Sequence, residues 1–357
     1  MLGTCFSDSF SSSQEACVIS AVHQYRLFYR EQQGTKATPP FYPTIRHARD
    51  TIYDNLPFSL CSITVIKQVN FEVSGFKSLL YSEGKRHLEL AMAPPPRPPF
   101  TELPLDKNGP PGNAWGLYGA NDELGALNMI TPPVVKAAAQ EVQTGDRVSL
   151  DWYLNLPSHP SFNRPAFSWK MTNKAHPDGT KRTVNDDHLD FNTQCSSQWD
   201  GFRHYGYQSA KKYYGGRSQQ DIESAEVIGI DRVAHSGGIT TRGVILDYPR
   251  YLEKKGKKEV NALEANSITA DVLKDMLREA GVQARDGDLL LLRTGFTRDY
   301  AKLSDDERKA LKDKPPTFLG VQSDKQSLQW IWESGFVAVG KTRSLFLRHL
   351  QSFSAYS

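Results

Sequence analysis

A short polar segment, TQCSSQWDGFRHYG at residues 193–206, carries side chains that can bind a cation or transfer a proton. Gln194, Gln198, Asp200 and His204 follow one another at gaps of four, two and four residues. All three gaps are even, so an extended backbone would place the four side chains on one face. A carboxylate, two amide oxygens and an imidazole on one face could hold a divalent cation or orient a hydrolytic water.

The same spacing also fits a purely structural role. In that interpretation the segment is a hydrogen-bonded polar turn, and Trp199 on the opposite face is buried in the core. The spacing matches no single metal-binding motif, so the segment alone leaves both alternatives open.

Composition describes an ordinary globular protein that acts on small molecules. The 357 residues are 39% hydrophobic and 23% charged, enough for a sizeable core in one or two domains. The formal charge is +3, from 43 basic and 40 acidic residues. A balance this even favours neither nucleic acid nor an anionic membrane as a partner.

Cysteine spacing and the N-terminus indicate a reducing compartment. The cysteines show no CxxC or other ligand spacing, so we expect no disulfide framework; they are Cys5, Cys17, Cys61 and Cys195. No apolar run approaches the roughly 20 residues of a membrane span. The start of the chain lacks a basic stretch followed by an apolar one, which predicts a cytoplasmic protein.

The chain divides at a proline-rich stretch. Residues 1–91 show no sustained helical or strand period, which predicts a poorly structured extension. Residues 92–113, MAPPPRPPFTELPLDKNGPPGN, form a Pro-rich lead-in that indicates a domain boundary. We expect the catalytic domain over residues 114–340 and a divergent tail over residues 341–357.

Within that domain, helical patterns alternate with buried-strand patterns. Residues 131–142 and 267–281 predict helices, each followed by a predicted strand, at residues 147–154 (RVSLDWYL) and 284–296 (ARDGDLLLLRTGF). The LLLL run predicts a strand buried on both faces. The same order of helix and then strand is predicted at residues 323–340, from SDKQSLQWIWESG followed by FVAVG.

Two further stretches complete the predicted fold. Residues 242–251, RGVILDYPRY, predict a buried strand that ends in a proline turn. Residues 150–190 are rich in Pro, Asn, His and Asp and predict long polar loops. The alternation of helices and buried strands predicts an α/β fold with helices packed on a mixed sheet.

From about Ala114 to Gly340 the chain resembles the cyclase family that includes bacterial kynurenine formamidase and isatin hydrolase, especially its fungal branch. QCSSQWDGFRH aligns without a gap to the family signature His-x-Gly-Thr-His-x-Asp-x-Pro-x-His. Supporting matches are AWGLYGANDELGALN, HSGGITTRGVILDY, GDLLLLRTG and FVAVG.

The resemblance implies a swivelling β/β/α fold, commonly dimeric, and a metal-dependent hydrolase. In the family, the positions matching Gln194, Gln198 and Asp200 bind zinc or manganese, and the position matching His204 acts in catalysis or holds a second ion. Glutamines replace two histidines here, which shifts the metal preference from zinc toward manganese, magnesium or calcium. The segment after Gly340 also departs from the family pattern, and we expect a C-terminal end that is truncated or different.

Other residues complete the expected site. The resemblance assigns a pocket-shaping role to Trp115, along with Tyr118, Asp122 and Asn128 of the same segment. Trp199 and His235 are expected to contact substrate, His235 because it precedes two glycines whose amides could approach a carbonyl. As a lone loop histidine, His235 could equally be a surface residue. Arg242 could pair with an anionic substrate, although a partner among core carboxylates is favoured.

Two functions remain open from the sequence. The first is a metal-dependent hydrolase of an aryl formamide, lactam or lactone, with His204 as general base. The second is a non-hydrolytic or tailoring relative with a weakened metal site that binds a small aromatic ligand. Its pocket would be lined by Trp199, Phe202, Tyr205 and Tyr207.

Overall fold

The computed structural model describes residues 16–21, 94–315 and 318–341. Its strands are β1 (Ala16–Ala21), β2 (Ser168–Ala175), β3 (Lys181–Asp190), β4 (Ile239–Asp247), β5 (Ser267–Ile268), β6 (Leu289–Arg293), β7 (Gly320–Val321) and β8 (Ala338–Lys341). Its α-helices are α1 (Pro132–Ala138), α2 (Gln219–Ser224), α3 (Ile230–His235), α4 (Tyr248–Lys254), α5 (Ala270–Glu279), α6 (Phe296–Ala301), α7 (Asp305–Asp313) and α8 (Lys325–Glu333). Single 3-10 turns lie at Phe100–Glu102, Gly125–Met129, Ala139–Glu141 and Tyr214–Gly216.

The main sheet is mixed and has the strand order β1-β4-β6-β8. Strands β4, β6 and β8 are parallel, with Leu290 of β6 between Val244 of β4 and Val339 of β8. Strand β1 joins the edge antiparallel to β4. The predicted α/β fold with a mixed sheet is therefore confirmed.

Strand β6 is buried on both faces of the sheet, as the LLLL run predicts. Leu290 and Leu292 point into a large core cluster that also holds Phe296 and Tyr300. Leu289 and Leu291 point into a second cluster on the opposite face. Successive side chains of a strand alternate between faces, so one short apolar strand supplies both cores.

Helices α5 and α8 form where the sequence predicts them, because local signals begin and end each helix. Thr269 and Asp324 are N-caps, and their side chains accept hydrogen bonds from backbone amides of the first turn. Gly281 and Gly335 follow the helix ends with φ of +67° and +81°, the left-handed conformation that glycine adopts most easily.

A buried ion pair ties β4 to the start of β6. Arg242 donates from Nε to Asp288 Oδ1 at 2.9 Å and from Nη2 to Asp288 Oδ2 at 2.6 Å. Both side chains are almost fully buried. Arg242 thus pairs with a core carboxylate, the favoured of the two roles considered for it.

The structure differs from the sequence predictions in two places that precede the polar segment. Residues 147–154 form no strand, because the amide of Trp152 donates to the hydroxyl of Ser197 instead of to a neighbouring strand. Residues 150–190 are not only loops, since β2 and β3 pair there as an antiparallel hairpin. That hairpin is mostly exposed on both faces, so it lacks the apolar alternation that would predict it.

The N-terminal region contributes one strand where none is expected. Strand β1, with the sequence ACVISA, lies within residues 1–91 and pairs with β4 over six residues. The rest of the proposed extension, residues 1–15 and 22–91, lies outside the described residues, as do residues 92–93 of the lead-in and 342–357 of the proposed tail.

Candidate active site

The polar segment, residues 193–206, is an irregular loop, and we call it the site loop. Its backbone turns twice, and Ser196 adopts a left-handed φ of 59°. The first turn is held by Asn192, whose carbonyl accepts from the amide of Cys195 and whose side chain accepts from the amide of Gln194. The extended backbone considered from the sequence is therefore not what brings the polar groups together.

The loop nevertheless brings three of the four predicted side chains into one hydrogen-bonded chain. Gln194 donates from Nε2 to Asp200 Oδ1 at 2.5 Å. Gln198 donates from Nε2 to Gln194 Oε1 at 3.3 Å. Gln198 is only 8% exposed, and its buried Oε1 has no hydrogen-bond partner among the described residues. A buried carboxamide oxygen without a partner is costly, so this atom marks a place where a ligand would be stabilised.

Burial dominates the electrostatics of Asp200. It raises the pKa of the Asp200 carboxyl, while the charge of His204, the hydrogen bond from Gln194 and the charge of Arg164 each lower it. A carboxylate kept from water is stabilised by any added positive charge. The site is therefore disposed to accept a cation.

His204 lies near this group without joining its hydrogen bonds. Its amide donates to the carbonyl of Gly201 in the second turn of the loop, and its side chain is exposed. Its charge acts on Asp200, yet its imidazole makes no hydrogen bond with the described residues.

The segment around Trp152 supports the site loop from one side. Ser196 donates from its amide to Leu156 O at 2.8 Å and from its hydroxyl to Trp152 O at 2.5 Å. Trp152 N donates to Ser197 Oγ at 2.7 Å. The residues predicted as a strand therefore use their backbone groups to hold the site loop.

A second set of contacts holds the site loop at Gly201, against residues 225–230. Arg203 donates to the carbonyls of Val227 and Ala225, and a side chain at Gly201 would come within 2.7 Å of the Ile230 amide nitrogen. Glu123 in turn accepts from the amide of Ile228 at 2.7 Å. Only glycine allows this close approach. Nothing in the spacing of the sequence pointed to these supports.

An aromatic group borders the site loop. Phe202 stacks on Tyr214 with ring centroids 4.1 Å apart, and Tyr214 donates to Asp122 at 2.6 Å. Trp115 meets Tyr207 edge to face at 5.7 Å, and its indole nitrogen is buried with no partner among the described residues. Burial raises the pKa of Tyr207 to about 12, so its hydroxyl stays neutral and can donate.

Two residues expected to contact substrate lie in other surroundings. Trp199 is half-buried and packs against the second core cluster, which is the arrangement that the structural interpretation anticipated. His235 is the last residue of α3, is exposed, and has no side-chain hydrogen bond to the described residues. By contrast, the roles of Asp122 and Asn128 are visible: Asp122 accepts from Asn128 Nδ2 and caps the turn at Gly125.

Comparison with known proteins places the chain in a family. A family model described as "Putative cyclase" matches residues 123–341, more than half of the 357-residue chain. A crystal structure described as a novel cyclase matches with a TM-score of 0.54 and 28% sequence identity, over 64% of this chain and 75% of that chain. No curated protein matches the chain. The chain belongs to the cyclase family.

Two features of the part of the chain that the structure describes bear on the site and its surroundings. Within residues 16–21, 94–315 and 318–341, no helix is long and apolar enough to cross a membrane. In the same part of the chain, no three His, Cys, Asp or Glu side chains gather closely enough to bind a metal ion. A metal site here would therefore depend on the amide oxygens of Gln194 and Gln198 beside the carboxylate of Asp200.

Proposed function

We propose that this protein is a metal-dependent hydrolase of an aryl formamide, lactam or lactone. The observation that carries the proposal is the buried, unpartnered Oε1 of Gln198, which adjoins the hydrogen-bonded pair of Gln194 and Asp200. Membership of the cyclase family supports an enzymatic role. The chemistry proposed for this chain rests on its own site residues.

The three oxygen donors fit a hard divalent ion. Asp200 supplies the charge, and Gln194 and Gln198 supply neutral amide oxygens, a set suited to manganese, magnesium or calcium. Zinc prefers imidazole or thiolate ligands in proteins. The amide of Gln194 now turns its nitrogen toward Asp200, and a half-turn about its last bond would present the oxygen instead.

The residues around the ion would divide the remaining tasks. When bound, the ion supplies a lowered pKa for a water and polarisation of the scissile carbonyl. His204 takes a proton from the attacking water and returns it to the leaving amine or alkoxide. The exposed position of His204 suits this exchange. Trp115 and Tyr207 offer an aromatic surface against which an aryl group packs.

Turnover assays test the proposal. N-formylkynurenine and isatin are offered to the purified protein with manganese, magnesium or zinc, and product is followed by absorbance. We expect hydrolysis that requires added manganese or magnesium and is lost in Asp200→Ala and His204→Ala. His176→Ala is the matched control, since His176 is an exposed histidine of the β2–β3 turn. Equal turnover in all variants would rule out the assignment.

A second candidate is a non-hydrolytic, ligand-binding or tailoring relative with a weakened metal site. The observation in its favour is that Gln194 already satisfies one oxygen of Asp200, which stabilises an ion-free site. Elemental analysis of purified protein discriminates between the two. About one manganese or magnesium per chain supports the hydrolase. Its absence, together with a melting temperature unaffected by added ions, supports the second candidate.

We also propose a homodimer formed through the β2–β3 hairpin. This hairpin pairs with no other strand of the described sheets, and an isolated two-stranded hairpin is marginally stable in water. It exposes large apolar side chains, Trp169, Met171 and Val184. Light scattering on the wild type and on Trp169→Lys tests this, because the dimer should dissociate in the variant. A wild-type monomer would refute the proposal.

A further inference from the structure

Arg164 is close enough to the site loop for its charge to lower the pKa of Asp200. Its guanidinium lies 4.9 Å from the centre of the Phe162 ring, and the side chain is partly buried. No hydrogen bond or ion pair links the guanidinium to any residue that the structure describes. A partly buried arginine usually has its planar fork filled by a carboxylate or by carbonyl groups, so this fork is open to a ligand.

The position of Arg164 relates it directly to the site. Burial lowers the pKa of Arg164, while electrostatic interactions with the site loop, including Asp200, raise it, and the guanidinium remains a cation. Arg164 acts on Asp200 through its charge and forms no ion pair with it, so the N–H groups of the guanidinium are not taken up by Asp200. The segment that leads to Arg164 is fixed to the site loop through Leu156 O and Trp152 O, both of which accept from Ser196.

The backbone before Arg164 is held in an uncommon conformation. Phe162 and Asn163 have left-handed φ values of 64° and 55°, which residues with a Cβ rarely adopt in succession. Phe162 is also 56% exposed, although it is apolar. Left-handed residues of this kind cluster at ligand-binding sites, and here they directly precede the arginine whose charge acts on Asp200.

We propose that Arg164 binds a carboxylate of the substrate, so that the preferred substrates are amides or lactones that carry a negative charge. This inference rests on the proposed function for the identity of the scissile bond, but the carboxylate contact is independent of catalysis. Two parallel N–H···O bonds from the guanidinium would orient such a substrate while Asp200 remains with Gln194 and Gln198. The ring of Phe162 would pack against the adjoining part of the ligand.

A matched pair of probes isolates the carboxylate. 2-Formamidobenzoate and formanilide are both aryl formamides, and only the first carries a carboxylate. Binding of each to the full chain is measured by calorimetry in the presence of manganese and again in the presence of a chelator. We expect wild type to bind 2-formamidobenzoate more tightly than formanilide, by on the order of 10- to 100-fold.

Variants decide whether Arg164 causes that preference. Arg164→Gln should abolish the preference by weakening 2-formamidobenzoate binding far more than formanilide binding, and Arg164→Lys should retain part of the preference because the charge remains. Arg147→Gln, a change at an exposed arginine, should keep the wild-type preference. Melting temperatures of the variants show whether each is folded.

Each outcome has a distinct meaning. Equal binding of the two probes by wild type, or an equal loss for both probes in Arg164→Gln, would overturn the inference. A carboxylate preference that depends on Arg164 in a protein that hydrolyses neither probe would support the inference and refute the proposed hydrolase function instead.

Discussion

Gln194 Nε2 lies 2.5 Å from Asp200 Oδ1, and this contact joins residues six positions apart across the first turn of the site loop. It couples the only carboxylate of the three-residue donor set to an amide that can offer either nitrogen or oxygen. The same amide also accepts from Gln198, whose own oxygen remains without a partner among the described residues. The side-chain orientations of Gln194 and Gln198 therefore decide whether the site offers amide oxygens to a cation.

Replacing Asp200 should remove metal binding. Asp200→Asn keeps the shape of the side chain but deletes the one negative charge of the donor set. We expect manganese affinity, measured by calorimetry, to fall by at least about 100-fold, because even changes outside the ligand set cost 10- to 100-fold. Asp146→Asn, a change at an exposed aspartate, serves as the control. Undiminished affinity in Asp200→Asn would place any bound ion elsewhere.

Restoring imidazole ligands should change the preferred metal. The double variant Gln194→His with Gln198→His places a nitrogen donor at each position where the family signature has histidine. We expect zinc affinity to rise by more than about 100-fold, which corresponds to about 2.7 kcal/mol, and zinc to displace manganese. Competition titrations with a zinc-selective chelator measure this change. An unchanged zinc affinity would mean that these side chains do not converge on an ion.

His204 should affect the rate and leave metal binding intact. Its imidazole lies outside the hydrogen-bonded chain of Gln194, Gln198 and Asp200, so His204→Ala removes the proposed base without removing a donor. We expect kcat for an aryl formamide to fall by about 10²- to 10⁴-fold, with manganese affinity close to that of wild type. A parallel loss of manganese affinity would instead assign His204 to the ion.

The Arg242–Asp288 pair should be needed for stability. Asp288→Ala leaves the guanidinium of Arg242 buried without its close carboxylate, and its remaining partners among the described residues are the Gln283 carbonyl at 2.7 Å and the more distant Glu141 at 3.7 Å. Breaking one side of a buried pair costs about 3–5 kcal/mol, so chemical denaturation should show a loss of that size. Asp146→Ala should stay within about 0.5 kcal/mol of wild type. A similarly small loss in Asp288→Ala would show that the pair contributes little.

Stability should decline in acid partly because of Asp275. Hydrogen bonds from Tyr251 and Lys255 lower the pKa of this carboxyl from 3.8 to about 2. Because the folded-state pKa is lowered, its stabilisation is present above pH 3.8 and is lost as the pH falls toward about 2. The melting-temperature difference between wild type and Asp275→Asn should therefore shrink over this interval. A difference that does not vary with pH would contradict this reasoning.

The parts of the fold that local signals specify could be predicted from the sequence. The run of leucines in β6 and the caps of α5 and α8 are signals contained within a few residues. The segment at residues 147–154 has equally strong strand composition, but its backbone bonds to Ser196 and Ser197 instead of a neighbouring strand. Pairing with a distant segment is decided by tertiary contacts, which local propensity does not contain.

The candidate site was likewise predictable from the sequence only where local signals specify it. The residue types at Gln194, Gln198 and Asp200 indicated that these side chains would act together, and the structure brings them together. Turns at Ser196 and Gly201 bring the side chains together, whereas the sequence argument considered an extended backbone. The even spacing of the residues is informative only for an extended backbone. The sequence did not connect Arg164 with the candidate site, because thirty-six positions separate it from Asp200. Two consecutive left-handed residues before it leave no signature in their side chains.

Anomalous diffraction from a manganese-soaked crystal would test the central claim most directly. The account predicts one strong manganese peak at the site loop, within about 2.0 to 2.6 Å of an Asp200 carboxylate oxygen and of the Oε1 atoms of Gln194 and Gln198. A site loop without a peak at saturating manganese, with the Gln194–Asp200 hydrogen bond still in place, would contradict it.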